Sequence, residues 1–573
     1  MSQRNYSGAR ILIEALVEEG VDTVFGIPGG QVLQIYDELY KHRDRIRHIL
    51  VSHEQHAAHA ADGYARSSGR TGVCIATSGP GATNLVTGIA AAYMDSSPVV
   101  AITGNAPLHL LGKDSFQEVD IAGVTMPVVK HNWIVKDVGE LAEIVREAFI
   151  VARSGRPGPV LIDIPSDICA AKTKWKPAVL AAWEGVLGAR ALRLTDRSER
   201  ITFSGADIDR AAEMIRSARR PLIYAGGGAN ASGASGELVE LSTRLRAPVA
   251  LSLMGIGAVP RDYRLCTGLI GMHGTAASNK AVQKADLVVA AGARFSDRVT
   301  SRADHFARNA KILHLDIDPA EVNKNIPSDF CVIGDLKKIL GAVLEKLPQS
   351  AETMWGGEIE KLRESDARHS AKRDGGLHPR FIVEETAEKT GAGAIVVTDV
   401  GQHQMWAARY YPVARPRSFI TSGGLGAMGF GLGAAAGAKL ANPKRPVVLF
   451  TGDGSFRMNS CELSTISRYG IPVLIVMINN GVLGMVRQWQ KLFCGNAFSE
   501  TDLGKTPDFP VLASAYGISA FRAKTPEEFS DALDRAALHL AEGRSALVEA
   551  IIDKNEMALP MVPGGRPVDE QIF

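Results

Sequence analysis

Short continuous apolar runs, each closed by glycine, asparagine or proline, alternate along the chain with stretches whose apolar positions repeat at helical spacing. In the first third they read HILV (48–51), GVCIAT (72–77), VVAIT (99–103) and PVLIDI (159–164). In the middle they read PLIYAGGG (221–228), PVALSL (248–253), ADLVVAAGARF (285–295) and AKILHLDID (310–318). PVVLF (446–450) and PVLIVMI (472–478) continue the series in the last third. Runs without polar alternation mark strands buried on both faces, and the amphipathic stretches between them supply crossover helices. The pattern predicts an α/β protein of three domains, each a mostly parallel sheet with helices on both faces. The blocks span 1–175, 195–345 and 376–573, with the outer two alike in size and style and the middle one Rossmann-like. A Lys-, Ala- and Trp-rich connector (170–194) separates the first two, and a polar, helix-rich stretch (349–375) precedes the third. No short-period repeat is present.

Composition narrows the partners. A chain of 573 residues with 46% hydrophobic and 22% charged residues can bury ordinary cores in three or four domains. Its 64 basic and 62 acidic residues nearly cancel, so no broad field draws nucleic acid or an anionic membrane, and small-molecule chemistry is expected. The six cysteines, at 74, 169, 266, 331, 461 and 494, form no CxxC pair and read as reduced thiols of a cytoplasmic protein. The amino terminus passes straight into an amphipathic helix pattern without a signal-like apolar core. Residues 418–438 carry no charge, but seven of these 21 residues are glycine, too many for a membrane span. Such backbone is expected to pack closely against a ligand or a neighbouring helix.

The candidate chemistry lies where apolar runs end. Gly452, Asp453, Gly454 and Ser455 follow PVVLF, a helix-like MNSCELSTISRY (458–469) comes next, and Asn479 and Asn480 close PVLIVMI. The 26 residues between Asp453 and Asn480 suit one βαβ unit, which brings both side chains to the carboxyl edge of one sheet, where ligands bind. A carboxylate, an amide oxygen and a backbone carbonyl suit Mg²⁺, which completes its shell with phosphate oxygens. In the first block Glu54 follows the HILV strand and opens a helix. His53, Glu54 and His56 do not form HExxH, so no zinc site is expected there, and His53, His56 and His59 read as packing or surface groups.

Together, Glu54, SGPGATN (78–84), GGLGAMGFGLGAAAGAK (423–439), and GDGSF followed by NN resemble the thiamine diphosphate enzymes of the pyruvate decarboxylase and acetolactate synthase type. SFQEVD, SGRPGPVLIDIP, LMGIGAV, GMHGT, GARFSDRVT, VGQHQMWAA and LGMVRQWQ, in that order over nearly the whole chain, are most similar to the catalytic subunits of the acetohydroxyacid (acetolactate) synthase family.

The resemblance implies a thiamine diphosphate-binding fold in the outer domains. It implies decarboxylation of pyruvate and ligation of the two-carbon unit to pyruvate or 2-ketobutyrate, giving 2-acetolactate or 2-aceto-2-hydroxybutyrate. Glu54 matches the glutamate that bonds the aminopyrimidine ring, with Pro80 and Asn84 beside it, and Met428 matches the apolar wedge between the two rings. Asp453, Asn480 and the carbonyl of Val482 match the Mg²⁺ ligands; Gly401, Gln402, His403, Gly426, Gly452, Gly454 and Ser455 match the diphosphate surroundings. Gly29, Phe116, Gln117, Arg298 and Trp489 match substrate positions, with Gln117 and Trp489 closest to the chemistry and Trp489 favouring the larger acceptor.

A structural FAD is also implied. PLIYAGGGANASG alone is weak evidence for a dinucleotide, because Ala231 replaces the last glycine of GxGxxG. The family's flavin contacts match Arg156, Gly226, Gly227 and Gly228, then Met272, His273, Gly274 and Thr275, and also Gly292, Arg294, Asp316, Ile317 and Asp335. The cofactor in such enzymes bridges the first domain of one subunit and the third of another, so a homodimer or homotetramer is expected. A small regulatory subunit is a further candidate partner. Ser166 departs from the lysine found at its place in many members, which bears on the channel for anionic keto acids. Rival readings are a different thiamine diphosphate-dependent decarboxylase, lyase or carboligase, or a non-catalytic homologue that keeps the fold.

Overall fold

The computed structural model describes residues 5–175, 177, 203–348, 355–369 and 376–573. Most of the expected connector and parts of the 349–375 stretch lie outside the described residues.

The amino-terminal part contains β1 (Asn5–Ser7), β2 (Thr23–Gly26), β3 (Arg47–Leu50), β4 (Gly72–Ala76), β5 (Val99–Asn105), β6 (Asn132–Ile134), β7 (Val160–Pro165) and β8 (Lys172–Lys174). Six of them form a parallel sheet in the order β3-β2-β4-β5-β7-β6, while β1 and β8 pair antiparallel. The middle sheet has β9 (Pro221–Ala225), β10 (Val249–Leu251), β11 (Cys266–Leu269), β12 (Leu287–Ala291), β13 (Lys311–Asp316) and β14 (Phe330–Ile333). Its strands are all parallel, in the order β11-β10-β9-β12-β13-β14. The last sheet has β15 (Ile395–Thr398), β16 (Phe419–Ile420), β17 (Val447–Gly452), β18 (Leu474–Asn479), β19 (Ser519–Ala523) and β20 (Ala546–Ile551). It is parallel in the order β16-β15-β17-β18-β20-β19. Strands β4, β5, β7, β9, β12, β17 and β18 are buried at every position, which is why their sequences read as near-continuous apolar runs.

Each sheet has a point where the strand order reverses: between β2 and β4, between β9 and β12, and between β15 and β17. Loops that diverge above such a point leave a crevice for a ligand.

The charge-free segment resolves into a loop and the helix Gly431–Ala441, which packs along the helix Glu54–Ser68. A Cβ on Gly437 would collide with the Ala60 carbonyl, and one on Gly63 would collide with Ala434. Glycine and alanine are required here because two backbones lie against each other. The MNSCELSTISRY stretch is not one helix, as expected, but two pieces. A helical turn opens at Asp453 itself (Asp453–Phe456), the chain breaks, and the helix Leu463–Tyr469 follows a 3₁₀ turn at Ser460–Glu462. At the break the backbone of the buried Asn459 leaves the helical region, with φ −132°, and its side-chain amide donates inward to Asp399 at 3.1 Å.

Two further segments bind the parts together. The polar helix Trp355–His369 belongs to the middle core through Trp355, whose indole donates to the Pro221 carbonyl at 2.9 Å. The carboxyl-terminal tail crosses to the middle part, where Val562 N bonds Met272 O at 2.8 Å and Gln571 bonds Gly274 O at 2.9 Å. No helix among the described residues is long and apolar enough to cross a membrane.

Candidate active site

Two groups of residues gather at the carboxyl edges of the outer sheets. In the first, Glu54 is the opening residue of its helix, where a carboxylate is favoured by the positive end of the helix dipole. It is buried, and Asn84 donates to its Oε2 at 3.0 Å. Asn84 ends the short helix Pro80–Asn84, and Gly81 brings that helix against Glu54: a Cβ there would sit 3.3 Å from Oε1. The turn before it needs glycine, because Gly79 has φ +59° and a Cβ would meet Gln117 at 2.8 Å. Gln117 also sits at φ +58°, a conformation uncommon for residues with side chains and often found at functional sites. Phe116 beside it is 85% exposed, and Gly29 lies against Thr77. Ser166 starts the helix Ser166–Ala170 after β7 on the same edge.

In the second group, Asp453 directly follows β17 and Asn480 directly follows β18, adjacent strands as the spacing requires. Burial pushes the Asp453 carboxyl up to about 6, although the backbone N–H groups of Gly454 and Asn480 point at it. Its Oδ2 is buried and has no hydrogen-bond partner. An orphaned buried carboxylate oxygen is costly unless something else bonds it, and a cation fits that demand. Asn480 Oδ1 accepts from Val482 N at 3.3 Å, which holds the amide beside the loop carbonyls, while its Nδ2 donates to Gln402 at 3.1 Å. His403 is buried, burial lowers its pKa to about 3, and its Nε2 has no partner. The ring lies so near Gly452 that a Cβ would come within 2.8 Å of Nδ1. Gly401, Gln402 and His403 come from the end of β15, so they face Gly452 and Asp453 across the switch point.

The Met428 loop is clamped on both sides. Gly426 and Gly429 adopt φ +70° and +86°; Gly429 N donates to Asp399 at 2.9 Å and to Ser455 Oγ at 3.3 Å. Upstream, Asp95 accepts from Gly423 N and Gly424 N at 2.9 and 2.7 Å. Arg66, paired with Asp62 and Asp95 at 2.6 and 3.0 Å, donates to Thr421 O at 2.7 Å. Met428 itself is half-buried and outside the hydrophobic cores, so it is free to meet a ligand. Of these clamping residues the sequence singles out Ser455 but not Asp399, Asp95 or Arg66; only Asp399 carries a signal, directly after the apolar run IVVT (395–398).

Arg298 and Trp489, from the middle and last parts, do come together, with the guanidinium 5.8 Å from the ring centroid and also near Met272 Sδ at 3.5 Å. In the middle sheet Gly226, Gly227, Gly228, Gly292 and Arg294 flank the switch point between β9 and β12. Gly228 N bonds Gly292 O at 2.9 Å, so backbone packing already accounts for glycine at those two positions, whereas Gly227 faces only the Met254 side chain. Asp316, with Ile317 after it, ends β13, and its Oδ1 accepts from Asp318 N at 2.9 Å. Asp335 and Thr275 cap helices through Lys338 N and Ser278 N. His273 is half-buried, with its pKa lowered to about 4 mainly by desolvation, and Gly274 lies against Asn279. Arg156 reaches this part from β7's side, pairing with Glu321 at 2.7 Å and Asp318 at 3.4 Å.

Among the described residues no hydrogen bond or ion pair joins the Glu54 group to the Asp453 group.

Three family models match in chain order. They are the thiamine pyrophosphate enzyme N-terminal TPP binding domain over residues 6–124, the central domain over 208–344, and the C-terminal TPP binding domain over 399–550. A probable acetolactate synthase large subunit of Methanocaldococcus jannaschii is 46% identical over 98% of this chain and 94% of its own. The chain belongs to the acetolactate synthase family of thiamine pyrophosphate enzymes. The acetolactate synthase isozyme 2 large subunit of Escherichia coli is 44% identical over 99% of both chains, and the acetolactate synthase of Arthrospira platensis is 44% identical over 98% and 97%. For a member of this family, the outer sheets are the thiamine diphosphate-binding parts, and the expected α/β class with its parallel sheets holds.

Proposed function

We propose that the chain is the catalytic subunit of an acetolactate synthase, condensing two pyruvates, or pyruvate and 2-ketobutyrate, with loss of carbon dioxide. The observation that carries this is the unpartnered Asp453 Oδ2 beside Asn480, in a chain alike over almost its full length to acetolactate synthases. Bound thiamine diphosphate supplies the electron sink that lets a 2-keto acid lose carbon dioxide and the remaining two-carbon unit attack a second carbonyl.

The chain's own residues bind and orient. Glu54, steadied by Asn84, holds the pyrimidine end and carries the hydrogen bond that sets the proton position on that ring. Met428, fixed between Gly426 and Gly429, would support the cofactor's rings. Asp453, Asn480 and the Val482 carbonyl would hold Mg²⁺ as an oxygen-ligand site for the diphosphate, which Gly401, Gln402, His403, Gly452, Gly454 and Ser455 would cradle. Trp489 offers an apolar face to the acceptor's alkyl chain and Arg298 a positive charge to its carboxylate, with Gly29, Phe116 and Gln117 along the entry. The middle part binds FAD structurally at the switch point between β9 and β12, since the ligation involves no net oxidation.

The domains are placed at 1–175, 195–345 and 376–573, and the protein acts in the cytoplasm as a homodimer or homotetramer in which facing chains complete each site. The relatives from M. jannaschii and E. coli are named large subunits, which supports a small partner subunit.

Product analysis tests this reading, using pyruvate with and without 2-ketobutyrate and omitting thiamine diphosphate, Mg²⁺ and FAD in turn. Both acetohydroxy acids are expected, strictly dependent on the first two. Acetaldehyde or acetyl phosphate as the main product would replace the reading with a rival chemistry of the same cofactor. Sedimentation during turnover should show no active monomer.

A further inference from the structure

The helix that begins at Glu54 carries another buried polar side chain, His56, which the proposed reaction does not use. It is 2% exposed, and its Nδ1 is buried without a hydrogen-bond partner. Burial, with His59 and His53 nearby, lowers its pKa to about 3, so the imidazole is neutral and keeps a free lone pair. Across the seam between the outer parts, the 3₁₀ turn Ser460–Glu462 brings up Cys461 and Glu462. One ligand atom from each of His56, Cys461 and Glu462 lies within 4.8 Å of the other two.

Glu462 is 2% exposed and held in place by Ser52 N and His53 N at 2.9 and 3.1 Å and by Thr465 Oγ1 at 2.6 Å. Among the described residues no Lys or Arg pairs with it. Oε1 accepts both backbone bonds and Oε2 accepts only from Thr465, so Oε2 keeps a further lone pair, and a buried carboxylate without a positive partner leaves room for a cation. Cys461 lies on the solvent side, which gives the cluster an entry path.

We propose that His56, Cys461 and Glu462 form a site for a divalent cation of the zinc class, with one nitrogen, one sulfur and one oxygen ligand and a fourth position left to water. A thiolate and an imidazole favour Zn²⁺ or Co²⁺ over Mg²⁺, whereas the oxygen-only set at Asp453 has the opposite preference. The two sites therefore sort cations by ligand chemistry. Binding releases the Cys461 thiol proton to solvent. A bound cation would fasten the first turn of the Glu54 helix, two residues beyond Glu54, to the segment that follows the Asp453 turn. The sequence holds no HExxH at this helix, and Cys461 and Glu462 lie more than 400 residues from His56 in the chain.

The test is a Co²⁺ titration of the Mg²⁺-loaded holoenzyme, read by the thiolate-to-cobalt charge-transfer band, which an oxygen-only site cannot give. One cobalt–thiolate centre per chain is expected, displaced by Zn²⁺ and untouched by excess Mg²⁺. Cys461→Ser, a near-isosteric change at the surface, should abolish the band, and Cys494→Ser should leave it intact. His56→Ala and His56→Gln should each weaken Co²⁺ binding at least about tenfold, the order expected when a site loses a ligand or its support. No band in the wild-type protein, unchanged affinity in both His56 variants, or loss of the band in Cys494→Ser would overturn the proposal. None of these outcomes depends on catalytic turnover, so failure here leaves the acetolactate synthase reading standing.

Discussion

Asn84 donates its side-chain amide to Glu54 Oε2 at 3.0 Å, which ties the first residue of one helix to the last residue of another across the edge of the amino-terminal sheet. A hydrogen bond to a charged group contributes roughly 1.5–3 kcal/mol, so Asn84→Ala should lower kcat/KM for pyruvate about tenfold to a hundredfold. Asn84→Asp, which sets a like charge against Glu54, should lower it further. Steady-state kinetics of the two variants check the order.

Asp453 Oδ2 is buried at the end of β17 without a hydrogen-bond partner. Asp453→Ala should raise the Mg²⁺ concentration for half-maximal activity by at least about tenfold, with the fold retained. A Mg²⁺ titration of activity, with circular dichroism alongside, measures both.

The half-buried Trp489 lies beneath the Arg298 guanidinium and edge-on to Phe493 at 5.8 Å. Trp489→Leu should reduce the preference for 2-ketobutyrate over pyruvate as acceptor. One methylene in an apolar pocket discriminates by about 1–3 kcal/mol, so the product ratio should shift by a factor within that range. Competition between the two keto acids reads it directly.

A Cβ on Gly437 would strike the Ala60 carbonyl, with no flexible side chain to give way. Gly437→Ala should force the helices Gly431–Ala441 and Glu54–Ser68 apart and destabilise the protein by about 1–3 kcal/mol, a typical overpacking cost. The same change at Gly543, which has open space but φ +75°, should act only through local backbone strain. Denaturant unfolding of the two variants compares them.

The fully buried strands β4, β12, β17 and β18 were legible because their apolar runs are unbroken, and β7 because a single buried carboxylate, Asp163, is all that interrupts it. The strands β6 (NWI), β16 (FI) and β19 (SAFRA) are short or only partly buried, so they lack that signal and depend on their neighbours for pairing. Spacing alone placed Asp453 next to Asn480, since one crossover joins adjacent parallel strands. The clamp on the Met428 loop by Asp399, Asp95 and Arg66 was not legible, because its members are separated in sequence and each looks like an ordinary buried ion. The grouping of His56 with Cys461 and Glu462 was hidden for the same reason.

The central claim is that Glu54 and Asp453 grip opposite ends of one cofactor molecule, and the rate of acetolactate formation by Glu54→Gln in saturating thiamine diphosphate and Mg²⁺ tests it most directly. The variant keeps the size and burial of the side chain but loses its charge, so kcat should fall by a factor on the order of 10² to 10⁴, as for removal of a positioned acid–base group. Turnover at the wild-type rate would contradict the account.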